Sequence, residues 1–171
     1  MTRWPIIALM PIATGSTAAK MAEPLGDAAV RQGGSLSLRI VIGENNPDLA
    51  LTLSLLLNAE SDMSCVATAA SADAVLAAVD EHSPNAFILD MSLDDGPSLP
   101  LIRVLRGRLP AAVIVVFTGH KNELLKQHCM QAGADALVVK ASDFEDLTVA
   151  LRLAAQAAAA RAAGGSSPSD S

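Results

Sequence analysis

The chain has 171 residues, 51% hydrophobic and 2% aromatic, with 12 Lys and Arg against 18 Asp and Glu for a net charge of −6. That length buries one full core and leaves no room beside it for a second domain of ordinary size. The acidic balance and the absence of Tyr argue against a nucleic-acid-binding surface or a base-stacking platform, and no apolar run approaches a membrane span.

In chain order, Met1-Thr2-Arg3 and the apolar stretch from Trp4 to Ala13 loosely imitate a secretory signal. Pro5 and Pro11 interrupt it, and no clean cleavage pattern follows. Residues 14 to 36 are rich in Gly, Ser, Thr and Ala without any period. Residues 1–36 are therefore expected to be a disordered N-terminal segment, with Met21 as a candidate true start.

From Ser37 the pattern becomes regular. Leu38 to Ile42 reads as a strand stopped by Gly43. Asn46 then caps a helix with Pro47 in its first turn and Leu49, Leu53, Leu56 and Leu57 on one face. Ser64 to Ala69 is a weaker strand. Ser71 caps a second helix whose Val75, Ala78 and Val79 face inward, ending near His82 and Ser83. Asn85 to Leu89 is a short apolar strand bounded by Pro84 and Gly96, the pattern of a strand covered on both faces. It delivers Asp90 into a polar loop, Met91 to Pro97.

Ser98 to Arg108 is a third helix, and Ala111 to Phe117 is the most hydrophobic strand, leading into Thr118 and Gly119. A fourth helix over roughly Lys121 to Ala132 stops at Gly133. The short strand Ala136 to Val139 ends on Lys140. Ser142 and Glu145 form a capping box opening a long helix through Phe144, Leu147, Leu151 and Ala154. Alanines continue it to about Ala163, and Gly164 to Ser171 reads as a flexible tail. Cys65 and Cys129 lie in apolar segments and read as buried, reduced thiols of a cytosolic protein. Five strands alternating with five helices predict a doubly wound α/β domain with a parallel sheet.

Four strands end on polar residues: Glu44 and Asn45, Asp90, Thr118 and Lys140. In a parallel sheet these ends share one edge, where ligands bind. Read singly, Asp90 is a loop cap, Thr118 a turn hydroxyl, Lys140 a solvated strand end and Glu44 a helix-dipole partner. Together they suit phosphoryl transfer. Asp90 would attack phosphorus to form an acyl phosphate, a neighbouring acid would hold Mg²⁺, Thr118 would donate to a phosphoryl oxygen, and Lys140 would offset its charge. Neither a Gly-x-Gly-x-x-Gly turn, a P-loop nor a His/Cys metal spacing is present. Ser92 stands where an Asp-nucleophile phosphatase would want its second Asp.

These motifs carry a family resemblance. Ile-Val-Ile-Gly-Glu44-Asn45, Phe-Ile-Leu-Asp90-Met-Ser-Leu, Val-Val-Phe-Thr118-Gly119 and Ala-Leu-Val-Val-Lys140 resemble the receiver domain of two-component response regulators, over residues 38 to about 156. The resemblance implies a flavodoxin-like receiver fold, a five-stranded parallel sheet in the order 2-1-3-4-5. It implies a receiver over 37–157, followed by a helical extension and flexible tail over 158–171. Asp90 would be the phosphoacceptor, with Thr118 and Lys140 beside it. Mg²⁺ would be held by Glu44, Asn45, Asp90 and the backbone carbonyl of Ser92.

The donor would be a histidine kinase or a histidine phosphotransfer protein, with Mg²⁺-dependent self-phosphorylation and self-dephosphorylation as the only catalysis. The expected protein is a cytoplasmic single-domain regulator, a monomer or weak homodimer. It would act on a downstream protein target, without nucleic acid or membrane. The homodimer contact would lie near the fourth and fifth helices.

The chain departs from the family pattern at several positions. Asn45 replaces the usual acid that contacts the metal, removing one negative charge. Leu137 replaces the common switch aromatic, Ala141 the proline after the lysine, and Ser98 lies where glycine is usual. These departures motivate the alternative, a phosphorylation-independent pseudo-receiver interaction module. Gly119 is expected to leave the site open to a bulky donor, and Ser92 and His120 to flank it, with His120 read first as a solvent-facing loop histidine and second as a group acting on the hydrolytic water. His82 and His128 read as surface residues.

Overall fold

The computed structural model describes residues 37–119 and 122–164. The segment 1–36, His120 and the tail beyond Gly164 lie outside them.

The described residues form, in chain order, β1 (Leu38–Gly43), α1 (Pro47–Ala59), β2 (Met63–Ala69), α2 (Ala72–His82), β3 (Ala86–Leu89), β4 (Ser92–Leu93), β5 (Gly96–Pro97), α3 (Leu99–Arg108), β6 (Val113–Thr118), α4 (Glu123–Ala132), β7 (Ala136–Val139) and α5 (Phe144–Gly164). The main sheet is parallel in the order β2-β1-β3-β6-β7. Setting aside the two-residue hairpin β4–β5, this is the expected 2-1-3-4-5 order. The hairpin was not anticipated: the stretch after Asp90 reads as plain loop in the sequence.

Each central strand is buried on both faces, and successive residues serve opposite cores. Ile40, Ile42, Ile88, Val113, Val115 and Phe117 pack with Leu53 and Leu57 of α1 and Leu147 and Leu151 of α5. Val41, Phe87, Leu89, Ile114 and Val116 pack with Val75 of α2, Leu101, Ile102 and Leu105 of α3, and Cys129 of α4. The strands therefore run between two layers of helix, with their carboxyl ends along one edge.

Local chemistry sets most element ends as expected. The Asn46 side chain accepts from the Asp48 and Leu49 amides, and Ser71 accepts from the Ala74 amide. Gly133 ends α4 at φ 113°, a left-handed conformation that side chains disfavour.

Four details differ from the sequence reading. Gly43 lies within β1 rather than stopping it, paired to Ala69 and Leu89, and a Cβ there would stand 2.9 Å from Leu89 Cδ2. Leu56 is 40% exposed, and Ala50 takes the inward place beside Leu53 and Leu57; the way α1 lies against the sheet decides which leucines of the apolar face are covered. Helix α5 begins at Phe144, one residue later than a Ser142 cap would start it. Cys65 is only half-buried, in contrast to the buried Cys129. Far along α5, Ala158 remains buried and Arg161 reaches Asp135 at 2.9 Å, so the helix still packs on the domain there. No helix among the described residues is long and apolar enough to cross a membrane.

Candidate functional site

Parallel pairing brings the strand ends together. Beyond the last paired residues, the Asp90 amide donates to the Gly43 carbonyl at 2.7 Å and the Glu44 amide to the Ala69 carbonyl at 2.9 Å. Both residues are thus held by main chain before their side chains do anything. On the other side, β6 ends on Thr118, whose carbonyl accepts from the Lys140 amide at 2.7 Å. Thr118 is buried at 1% exposure, unlike an ordinary turn hydroxyl.

The charged groups meet here. Lys140 Nζ lies 2.6 Å from Glu44 Oε2 and 3.2 Å from Asp90 Oδ1. The other oxygen of Glu44 accepts from the Asn46 amide at 3.0 Å, so both its oxygens are occupied. Glu44 is almost fully buried, with its side chain 3% exposed, and a buried carboxylate needs such partners. Asp90 Oδ1 also accepts from the Met91 amide at 2.8 Å, and Oδ2 has no partner among the described residues. The three side chains together carry one net negative charge.

Asn45 is exposed at the rim. A groove of about 390 Å³ opens beside it, lined by Glu44, Asn45, Pro47, Ser54, Thr68 and Ala70 among others. Ser92 begins the hairpin and is exposed. No cluster of three or more His, Cys, Asp or Glu able to hold a metal occurs among the described residues. The oxygen donors expected from the sequence at a metal beside Asp90 are its carboxylate, the Asn45 amide and the Ser92 carbonyl. Such hard donors suit Mg²⁺, which keeps several waters and needs only one or two carboxylates. Around Gly119 an added Cβ would meet nothing within 4 Å, so that side of the site is open. Leu137 is half-buried and packs against the core on the α2–α4 side.

The sequence reading missed two contributors. The Ser98 hydroxyl, fully buried, donates to the Asp90 carbonyl and does not cap α3. Asp95 reaches from the hairpin to α2. Ser98 is marked in the sequence only as a departure from a usual glycine, which says nothing of a bond to Asp90, whereas Asp95-Gly96 is itself a hairpin-turn pair.

Residues 40–152 match the family model described as the response regulator receiver domain. The oxygen regulatory protein NreC of Staphylococcus epidermidis is 32% identical over 116 residues, covering 67% of this chain and 53% of that protein. The NreC of Staphylococcus haemolyticus is 30% identical over 116 residues, covering 67% and 54%. The chain thus spans about half the length of the curated relatives it matches. Among solved structures, a two-component response regulator of the LuxR family from Aurantimonas sp. SI85-9A1 superposes with a TM-score of 0.67 at 25% identity, covering 71% of this chain and 86% of that one. A DNA-binding response regulator of the LuxR family from Staphylococcus aureus, at 19% identity, gives 0.64 over 69% of this chain and 98% of that one, a likeness of fold alone.

Proposed function

Because this chain belongs to the response regulator receiver domain family, we propose that Asp90 accepts a phosphoryl group from a histidine kinase or a histidine phosphotransfer protein. The single observation that most supports this is the reach of Lys140 Nζ to both Glu44 and Asp90. That reach places a cation where it would offset the charge of a phosphoryl group on Asp90.

The Asp90 carboxylate attacks the phosphorus of a phosphohistidine, a P–O bond forms as the P–N bond breaks, and the imidazole leaves with that electron pair. Lys140 offsets the charge on the phosphoryl oxygens, and the Thr118 hydroxyl donates to one of them. Glu44 keeps Lys140 extended into the site. Asp90, the Asn45 amide oxygen and the Ser92 carbonyl would hold Mg²⁺, with Glu44 adding negative charge beside them. The ion would neutralise charge on the transferring group. With Asn45 in place of an acid, its affinity is set below that of a site with two carboxylates.

Output follows through protein–protein contacts in the cytoplasm, from a monomer or weak homodimer. The matched segment is about half of the curated relatives' length, and a DNA-binding response regulator shares the fold, so a DNA-binding output belongs to the range of arrangements in which such a receiver works. The second reading, a phosphorylation-independent interaction module, draws on Asn45 and Leu137. Incubation with a small acyl phosphate or phosphoramidate and Mg²⁺ separates the two. The first expects base-labile phosphate on the wild type and none on Asp90→Asn; an unlabelled wild type leaves the second.

A further inference from the structure

Hairpin β4–β5 follows Asp90 directly and carries Ser92. Each arm has two residues, too few to stand alone in water. Its base is closed by Ser98, whose amide donates to the Met91 carbonyl at 3.1 Å and whose hydroxyl donates to the Asp90 carbonyl. Leu93 is buried against the α2–α4 core. The tip is tied to a different element. The Asp94 amide donates to the Ala70 carbonyl at 2.9 Å, and the Asp95 carboxylate accepts from the Ala72 amide at 2.8 Å and the Asp73 amide at 3.2 Å. Ser71 serves the next amide of the same turn, Ala74.

Helix α2 thus takes its first two amide partners from outside its own chain segment. A carboxylate aimed at a helix N-terminus gains from the dipole as well as from two hydrogen bonds. The Ala72 amide, chiefly, holds the Asp95 carboxyl below its usual range, so the contact stays charged at neutral pH.

We propose that Asp95 is a positioning residue: by fastening the hairpin tip to the first turn of α2, it fixes Met91 to Leu93 against Asp90, and with them the Ser92 carbonyl offered to the metal. This rests on reading Asp90 and Ser92 as parts of a phosphoryl and Mg²⁺ site. Disturbing partners of a metal's ligands costs roughly ten- to a hundredfold in affinity, and this indirect tether belongs at the low end.

The test uses the full chain as wild type, Asp95→Ala and Asp95→Asn, the last keeping one acceptor oxygen. Amide hydrogen exchange is followed at residues 91–93 and at 72–73, and Mg²⁺ binding is followed by calorimetry. Asp95→Ala is expected to speed exchange at both stretches and weaken Mg²⁺ binding about tenfold, with Asp95→Asn intermediate. Faster exchange at 72–73 alone, with 91–93 and Mg²⁺ affinity unchanged, makes Asp95 a plain helix cap and overturns the proposal. If the wild type binds no Mg²⁺, the functional reading fails at its metal. Exchange at 91–93 then still decides the tether: faster in Asp95→Ala upholds it, unchanged overturns it.

Discussion

Lys140 Nζ stands 2.6 Å from Glu44 Oε2, joining the ends of β7 and β1 across 96 positions of sequence. Removing the cation leaves a carboxylate that is nearly fully buried and has lost its counter-charge. Lys140→Met is expected to lower stability by roughly 2–3 kcal/mol, the lower part of the range for a broken buried pair. The Lys140 side chain keeps 22% exposure, and water there softens the loss. Adding Glu44→Gln should recover part of it. Urea unfolding of the two single variants and the double variant reads the coupling, and additive losses would mean that the pair contributes nothing.

Asn45→Asp restores an acid at the rim of the site. Mg²⁺ affinity is expected to rise by about tenfold, the effect of 1.4 kcal/mol from one added charge. Calorimetric titration measures it, and an unchanged affinity would remove Asn45 from the metal's surroundings.

Gly119→Ala adds a methyl group where the protein itself offers no obstruction. Thermal stability should therefore hold, and labelling by a small phosphodonor should stay near wild type. Transfer from a phosphohistidine on a protein should slow by roughly tenfold or more, because misplacing reacting groups slightly is costly. Equal slowing with both donors would show that the methyl disturbs Asp90 and not the donor's approach.

Gly133→Ala meets two penalties at once. The backbone sits at φ 113°, and the new Cβ would come within 2.8 Å of Arg106 Cγ. Arg106 cannot easily retreat, since its guanidinium bonds the Gly133 carbonyl at 2.8 Å and Asp135 at 2.9 Å. A loss of about 2–3 kcal/mol is expected from strain and displacement together, read as a fall in the unfolding midpoint.

Arg152 clamps Asp62 through two bonds of 2.8 Å and reaches Glu60 at 2.7 Å, fastening α5 to the turn before β2. The Arg152 hydrogen bond, foremost, holds the Asp62 carboxyl below its usual range against the opposing effect of burial. A lowered carboxyl pKa contributes stability that is complete above the unfolded value, about 4, and is lost as pH falls through the folded value. The gap between wild type and Arg152→Met should accordingly stay constant from pH 7 to about pH 5 and close in more acidic solution. Chemical unfolding across that range checks it, and a gap that widens toward acid contradicts the assignment.

The order of strands and helices was legible because the signals are local. Runs such as Val113 to Phe117 are apolar throughout, as a strand between two helix layers must be, and Asn46, Ser71 and Gly133 mark helix ends by their own chemistry. A parallel sheet then necessarily places Glu44, Asp90, Thr118 and Lys140 at one edge, so the membership of the candidate site could be read before any coordinates.

Contacts between distant segments could not be read in that way. Leu56 has the same side chain as Leu57, and only the angle of α1 against the sheet turns one outward. Asp95 and Ser98 look like loop residues until the hairpin folds back on α2 and Asp90. The sequence by itself determined which groups stand at the carboxyl edge, because periodicity and capping act over a few residues. Only the tertiary structure decided that Lys140 is shared between Glu44 and Asp90 and that Asp95 holds the neighbouring loop, because those partners are chosen by packing and burial between elements far apart in the chain.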